Sequence, residues 1–234
     1  MQGENGVEQA KERLLAAALP HVAFDGWSEA ALRAAIADSG LAAGLARALF
    51  PRGGVDMAMA WHRLGDQRMR AAMAARDLTG LRYRDRVTLA VRLRIEAASD
   101  REAVRRGTAL FALPQHAAEG AKAIWGTADA IWLALGDPSR DVNWYTKRAT
   151  LSAVYASTVL YWLGDDSPGQ AATWDFLDRR IEGVMAIEKL KAKVKANGMV
   201  KAAMDGPMAF VKRIVAPRTP DDLPGNLGNR PDPE

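Results

Sequence analysis

Four side chains with calcium-ligand chemistry alternate along one segment of the chain. They are Asp137, Ser139, Asp141 and Asn143. A calcium loop of this spacing also needs a glycine at its sixth position and a bidentate glutamate at its twelfth. This chain has Val142 and Arg148 there. The pattern therefore argues against a calcium site and predicts instead that Asp141 caps the N-terminus of a helix, where the helix dipole favours a carboxylate.

Other catalytic chemistry has few candidates. The three histidines, His21, His62 and His116, have no glutamate three residues before them and no histidine four residues after them. This spacing excludes the di-iron and zincin motifs. The chain has no cysteine, so thiolate metal sites and thiol nucleophiles are excluded as well. We predict no metal, no cofactor and no catalytic residue, and hence a protein that is not an enzyme.

The elements that position these residues are helices. Apolar residues recur at 3.6-residue spacing almost throughout, and strand-like alternation is absent, which predicts an all-α fold. Ser28 and Asp100 are predicted N-caps. The predicted helices cover residues 7–22, 29–38, 41–50, 55–76, 83–98, 102–112, 115–135, 141–163, 170–194 and 199–215.

The first three helices and their glycine turn resemble the helix-turn-helix domain of TetR-type regulators. The third helix, which would read DNA, offers only Arg47 for contacts with bases or phosphates. We therefore expect a degenerate helix-turn-helix at residues 1–52, and a ligand-responsive regulator remains the alternative function. The other predicted regions are a helical lipid-binding bundle at 53–198, an amphipathic helix at 199–216 and a disordered tail at 217–234.

One segment carries a specific resemblance. It reads GDPSRDVNWYTKRATLSAVYASTVLYWLGDDSPGQAATWDFLDRRI and runs from Gly136 to Ile181. Its NWYT helix start, its DSP turn and its TWDFLDRR ending resemble the C-terminal domain of the ubiquinone-biosynthesis lipid-binding protein family of the Coq nine type. The resemblance covers roughly residues 125–210, and the whole chain more loosely.

The helix start at Trp144 and Tyr145 is the predicted partner-binding surface. The two aromatics lie among polar residues on a first helical turn, where side chains can stay exposed. They could instead be anchors that pack on the preceding helix. The resemblance implies that this surface engages the di-iron demethoxyubiquinone hydroxylase, and that Asp129 and Ile131 lie on or near it.

The three helices from residue 115 onward carry many large apolar and aromatic residues. Most of them must belong to a packed core. The resemblance implies that some line a pocket for an isoprenoid quinone precursor or a phospholipid, and bundle interiors are a common place for such sites. The predicted lipid-binding residues are Trp125, Leu151, Val154, Tyr155, Thr158, Trp162, Trp174 and Leu177.

The last predicted helix is amphipathic and lies in a basic region. Residues 188–218 hold eight basic and two acidic side chains, a net charge of +6 within a chain of +4. This helix could dock on the bundle or on a second copy, but its lysines favour an anionic membrane surface, as the resemblance also implies. The predicted membrane-binding residues are Met199, Val200, Met204, Met208, Phe210, Val211, Lys212, Arg213 and Ile214.

No segment is apolar enough to span a bilayer, and the N-terminal residues show neither a secretory signal nor a transit peptide. These features predict a bacterial cytoplasmic protein, associated peripherally with the inner membrane. We expect a homodimer that presents a quinone precursor to the hydroxylase, the partner that the resemblance implies. We expect no nucleic-acid binding, because the third helix offers only Arg47 to read bases. An enzyme acting directly on that precursor would need acid, base or metal groups converging in the pocket, and none is apparent.

Overall fold

The computed structural model describes residues 2–196, and this part of the chain folds into nine α-helices without a β-strand. The predicted all-α fold is confirmed. The helices are α1 (Gln2–Asp25), α2 (Glu29–Ser39), α3 (Ala43–Leu49), α4 (Gly54–Ala74), α5 (Tyr83–Glu96), α6 (Arg101–Phe111), α7 (Ala117–Ala134), α8 (Val142–Leu163) and α9 (Ala171–Ala196). Short 3₁₀ turns, Pro114–His116 and Pro168–Gln170, precede α7 and α9.

Helix starts follow the capping chemistry read from the sequence. The side chains of Ser28, Asp100 and Asp141 accept hydrogen bonds from backbone amides at 3.2, 2.8 and 3.0 Å, which satisfies free N–H groups of α2, α6 and α8. The predicted end of α1 at residue 22 was wrong. The helix continues to Asp25 and ends where Gly26 adopts a φ of 66°, a conformation that glycine tolerates without strain.

Two apolar cores hold the helices together. The first lies among α1, α2, α3 and the beginning of α4, and its fully buried side chains include Leu14, Leu32 and Met57. The second lies among α4, α5, α7, α8 and α9, with Met69 and Leu177 at full burial. Helix α4 contributes to both cores, so the two halves share a rigid element.

The junction between the cores is fixed around Trp27, which follows α1. Its Nε1 donates a hydrogen bond of 2.9 Å to the carbonyl of Ala103 in α6. The carbonyl oxygen of Trp27 lies so close to Gly54 that a Cβ there would come within 2.1 Å, so the start of α4 requires glycine. The candidate site lies beside this junction.

The predicted helix at 199–215, its nine membrane-binding residues and the tail at 217–234 lie outside the described residues. No helix within residues 2–196 is long and apolar enough to cross a membrane.

Candidate functional site: an apolar cavity and an aromatic surface

A cavity of about 410 Å³ opens beside the junction of the two cores. Its volume falls within the range that proteins use for small-molecule and cofactor ligands. Most of the lining is apolar. The lining residues are Trp27, Ala58, Trp61, His62, Arg94, Ile95, Ala98, Val104, Gly107, Thr108, Phe111, Ala112, Ala117, Gly120, Ala121, Ala123, Ile124, Tyr155, Ala156, Val159, Leu160 and Trp162.

Small residues of α6 and α7 leave this space open. Gly107, Ala117 and Ala121 present almost no side chain to the cavity. At Gly120 the helices approach so closely that a Cβ would lie 2.8 Å from Cβ of Phe111, so glycine is required for this packing. Large side chains at these positions would fill the space, as they do elsewhere in well-packed interiors.

One end of the cavity is polar. Arg94 on α5 forms a buried ion pair of 2.5 Å with Asp66 on α4, and its Nη2 donates to the carbonyl of His62 at 2.9 Å. Thr127 on α7 donates its hydroxyl proton to Asp66 at 2.7 Å. Gly65 makes room for the arginine, because a Cβ there would lie 2.6 Å from the guanidinium. Three helices therefore assemble this cluster, and charge within it is balanced.

The proton position on His62 follows from the network. Nε2 of His62 lies 2.8 Å from Oγ1 of Thr127 and 3.1 Å from the carbonyl of Ala123. The carbonyl only accepts, and the threonine has given its proton to Asp66, so Nε2 carries the proton. Burial, and then the nearby charge of Arg94, lower the pKa of His62 to about 4. The imidazole is neutral at pH 7.

Tyr155 on α8 completes the polar end. Its ring centroid lies 6.5 Å from that of His62, in an edge-on arrangement, and 5.6 Å from Cζ of Arg94. Burial raises the pKa of Tyr155 above its ordinary value, so the phenol stays protonated and can donate a hydrogen bond.

Part of the cavity lining meets solvent. Among the lining residues, Ala112, Ala117, Ala121 and Leu160 are exposed. Leu160 is 60% exposed, and Leu113, next in sequence to Ala112, is 44% exposed. The solvent-exposed part of the lining, named here the mouth, is therefore apolar.

The predicted lipid-binding residues separate into several places. Tyr155 and Trp162 line the cavity. Leu151 and Val154 line a smaller pocket of about 180 Å³ on the other side of α8, together with Tyr83. The remaining four line neither space: Thr158 and Leu177 are fully buried in the core, Trp174 packs under the guanidinium of Arg92, and Trp125 belongs to the aromatic surface.

Several cavity residues were absent from the sequence prediction. Trp27, Trp61 and Phe111 come from elements before residue 115, a part of the chain in which no lipid-binding residue was predicted. The polar cluster left one signal in the sequence: His62 and Asp66 lie four residues apart, which places both on one face of α4. That face also carries Met69, which is fully buried.

Trp144, Tyr145 and Trp125 form one aromatic cluster, named here the aromatic surface. The ring centroids of Trp144 and Tyr145 are 4.8 Å apart. The centroid of Trp125 lies 5.9 Å from that of Trp144 and 6.5 Å from that of Tyr145. The Trp144 and Tyr145 side chains are half-buried. The structure therefore combines the two alternatives left open by the sequence, because the rings pack on α7 and still keep accessible area.

Arg148 supports this surface from beneath. Its guanidinium carbon lies 4.0 Å from the ring centroid of Trp144, and its Nε donates to Asp129 at 2.6 Å. Nη1 donates to the carbonyl of Trp144 at 3.2 Å. Such a planar, multiply bonded cation restricts the geometry of its partners. Arg148 is only 1% exposed, so these interactions are shielded from solvent.

The loop before α8 is held by the same network. Asp137 accepts hydrogen bonds from Lys147 at 2.6 Å and from Ser139 at 2.9 Å. Burial opposes the charge on Asp137, but these bonds outweigh it and hold the pKa of Asp137 below its ordinary value.

The two α7 residues predicted to join the partner surface differ. Asp129 is half-buried and contacts Arg148 directly. Ile131 is fully buried in the second core, so its placement on or near the surface was wrong. Side chains two positions apart on a helix point in different directions, so only Asp129 faces the aromatic surface.

Comparisons with known proteins agree with this architecture. The family model described as COQ9 matches residues 117–188, which cover α7, α8 and most of α9. A crystal structure of a TetR transcriptional regulator from Nitrosomonas europaea superimposes with a TM-score of 0.60 at 17% identity, over 74% of this chain and 95% of that one. This similarity establishes the TetR-like fold and nothing further.

Three relatives have informative coverage. Ubiquinone biosynthesis protein COQ9-B, mitochondrial, of Xenopus laevis is 30% identical over 82% of this chain and 68% of its own length. The COQ9 proteins of Rattus norvegicus and Drosophila melanogaster are 30% and 28% identical, over 82% and 81% of this chain. The chain spans only 64% and 59% of the length of these last two. Because the Xenopus protein is 30% identical and is covered over 68% of its length, this chain belongs to the COQ9 family.

Proposed function

We propose that this protein is a non-catalytic accessory protein of ubiquinone biosynthesis that binds an isoprenoid quinone precursor at the membrane and presents it to the di-iron demethoxyubiquinone hydroxylase. The observation that carries the proposal is the apolar cavity of about 410 Å³ with its apolar mouth at Leu160. The ubiquinone role in the names of the relatives supports the same assignment.

A carrier meets a physical need of this pathway. Each CH₂ group moved from an apolar environment into water costs about 0.8 kcal/mol, so a polyisoprenoid remains in the bilayer. A protein with an apolar cavity lowers this barrier by offering a second apolar environment. The cavity then supplies binding, and the chemistry belongs to the hydroxylase.

The aromatic surface suits a docking role. Trp144 and Tyr145 are large and partly accessible, and they are held on a rigid helix start by Arg148. Aromatic anchors that are already ordered lose little conformational freedom on binding and often dominate the energy of an interface. We assign this surface to the hydroxylase.

Membrane contact completes the proposal. The basic, amphipathic residues 199–215 supply the attraction to anionic lipid. Replacing Phe210 and Ile214 with serine should reduce binding to anionic liposomes in a sedimentation assay, and unaltered binding would refute the membrane assignment.

Transcriptional regulation is the weaker alternative. The single basic side chain of α3, Arg47, donates a hydrogen bond of 2.7 Å to Glu29, so it is already paired with a carboxylate. Regulators of this type bind operators in a sequence-specific, salt-dependent way, which a gel-shift assay would detect.

The deciding experiment combines two measurements. Lipids extracted from the purified protein are identified by mass spectrometry, and quinones are profiled in a strain that lacks the gene. We expect a prenylated ring compound in the extract and an accumulated demethoxy precursor in the strain. An empty cavity together with an unchanged quinone profile would refute the proposed function.

A further inference from the structure

The polar residues of the cavity bear on two properties of a ligand: its orientation, and the charge and hydrogen-bonding groups of its head group. The described lining contains three ionisable side chains, His62, Arg94 and Tyr155, and these three lie close together. None of the exposed lining residues is ionisable. Leu160 at the mouth follows Tyr155 by five positions, which is roughly 7 Å along α8 at the usual helical rise. The cavity thus has a polar cluster of His62, Arg94 and Tyr155, named here the floor, and an apolar mouth at Leu160.

His62 offers an acceptor at this floor. Both hydrogen bonds of its ring within the described part of the chain use Nε2, which carries the proton. The neutral imidazole therefore keeps a lone pair on Nδ1, on a side chain that lines the cavity. An acceptor in a mostly apolar space favours a ligand group that can donate, such as a hydroxyl.

The same floor disfavours an anionic head group. The positive charge of Arg94 is balanced by Asp66 at 2.5 Å, and the two side chains are 4% and 10% exposed. A phosphate or carboxylate entering the floor would lose its hydration without gaining an unpaired cation, which is unfavourable at low dielectric.

From this geometry we propose that the cavity binds its ligand head first, with an uncharged hydroxyl-bearing ring hydrogen-bonded to Nδ1 of His62 and the prenyl tail leaving through the mouth at Leu160. This inference rests on the proposed function, which it deepens by assigning the head-group chemistry. A space of about 410 Å³ holds a ring and a short part of a tail, so a long prenyl chain must continue outside. A phospholipid would need the opposite orientation, with its head group in solvent.

The test uses four synthetic probes and the full chain. The probes are 2-geranylphenol, geranylbenzene, 2-geranylbenzoate and lysophosphatidylcholine, and binding at pH 7.5 is followed by isothermal titration calorimetry. The variant is His62→Leu, which leaves Thr127 bonded to Asp66 and strands no side chain of the cluster. The matched control is His116→Leu, because His116 does not line the cavity.

To isolate the hydroxyl contact, the affinity ratio of the phenol to the benzene probe is compared between the wild type and each variant. We expect the affinity ratio of 2-geranylphenol to geranylbenzene to be about five- to tenfold higher in the wild type and in His116→Leu than in His62→Leu. The difference in ligand hydration cancels, because it is the same for every protein. An equal ratio in all three proteins would overturn the assignment of His62. If His62→Leu does not fold, a wild type that binds the benzoate more tightly than the phenol overturns the neutral head group, and one that binds the lysolipid more tightly than the phenol overturns head-first entry.

Orientation is tested with a fluorophore attached to the far end of the tail or to the ring. We expect the tail-labelled phenol to bind within about threefold of the unlabelled probe and the ring-labelled phenol to lose at least tenfold. The reverse order would refute head-first entry. Failure of the proposed function gives a different result, because then no ring probe binds the wild type at all.

Discussion

Lowering the pH from 7.5 to 5.0 should destabilise this fold by about 2 kcal/mol through His62 alone. The side chain has a pKa of about 4 in the folded protein and an ordinary value of 6.5. Between these values the unfolded chain binds a proton that the folded protein does not. The stability contributed by neutral His62 is therefore fully present above pH 6.5 and declines as the pH falls, until it levels off below pH 4.

The magnitude follows from linkage. One unit of pKa shift corresponds to about 1.4 kcal/mol, so the full effect below pH 4 is about 3 kcal/mol. At pH 5.0 the unfolded imidazole is almost fully protonated and the folded one is still mostly neutral, which gives about 2 kcal/mol. Burial produces most of this shift, because the charged ring would lose hydration inside the cavity.

The pH-dependent contribution of His62 to the free energy of unfolding is measured by urea denaturation at pH 7.5, 6.5, 5.5 and 5.0, followed by far-UV circular dichroism. His62→Gln keeps an N–H donor for Thr127 but does not titrate, so its loss of stability over this range should be about 2 kcal/mol smaller than that of the wild type. His116→Gln is the matched control and should lose as much as the wild type. Parallel curves for the wild type and His62→Gln would refute the reasoning.

Three further changes test the aromatic surface and the cavity wall. Arg148→Met removes a buried cation that lies 2.6 Å from Asp129 and 3.4 Å from Asp137. It should lower the free energy of unfolding by about 3 kcal/mol in urea denaturation, and a loss below about 1 kcal/mol would contradict its structural role. The pair Trp144→Ala and Tyr145→Ala should weaken hydroxylase binding at least tenfold in surface plasmon resonance while far-UV circular dichroism stays unchanged. Loss of helicity would place both rings in the core. Gly120→Val should cost about 1–3 kcal/mol of stability, because its side chain overlaps a phenylalanine of α6. Gly126→Ala is its control, because a Cβ there meets nothing within 4 Å, and should stabilise by about 0.5 kcal/mol.

Local chemistry made much of the fold predictable. Ser28, Asp100 and Asp141 each combine a capping side chain with an apolar helical pattern that starts just after them, and all three cap helices in the structure. The end of α1 was predicted less well, because the turn at Gly26 depends on how the chain passes Trp27 into α2.

The candidate site was predictable only in part. The side chains of Leu151, Tyr155, Thr158 and Trp162 all point inward from α8, and helical periodicity identifies that burial. Their roles differ because different neighbours face them. Tyr155 and Trp162 border the cavity together with small residues of α6 and α7, whereas Thr158 is fully buried in the core.

The sequence by itself determined the helical class, the helix starts and the family resemblance, because these depend on residues close together in the chain. The tertiary structure alone decided that Ile131 is buried beside an accessible aromatic surface. It also brought His62, Arg94 and Tyr155 together from α4, α5 and α8 at one end of a cavity. Periodicity specifies which face of a helix is buried, but not the size or polarity of the side chains that meet it from helices distant in sequence.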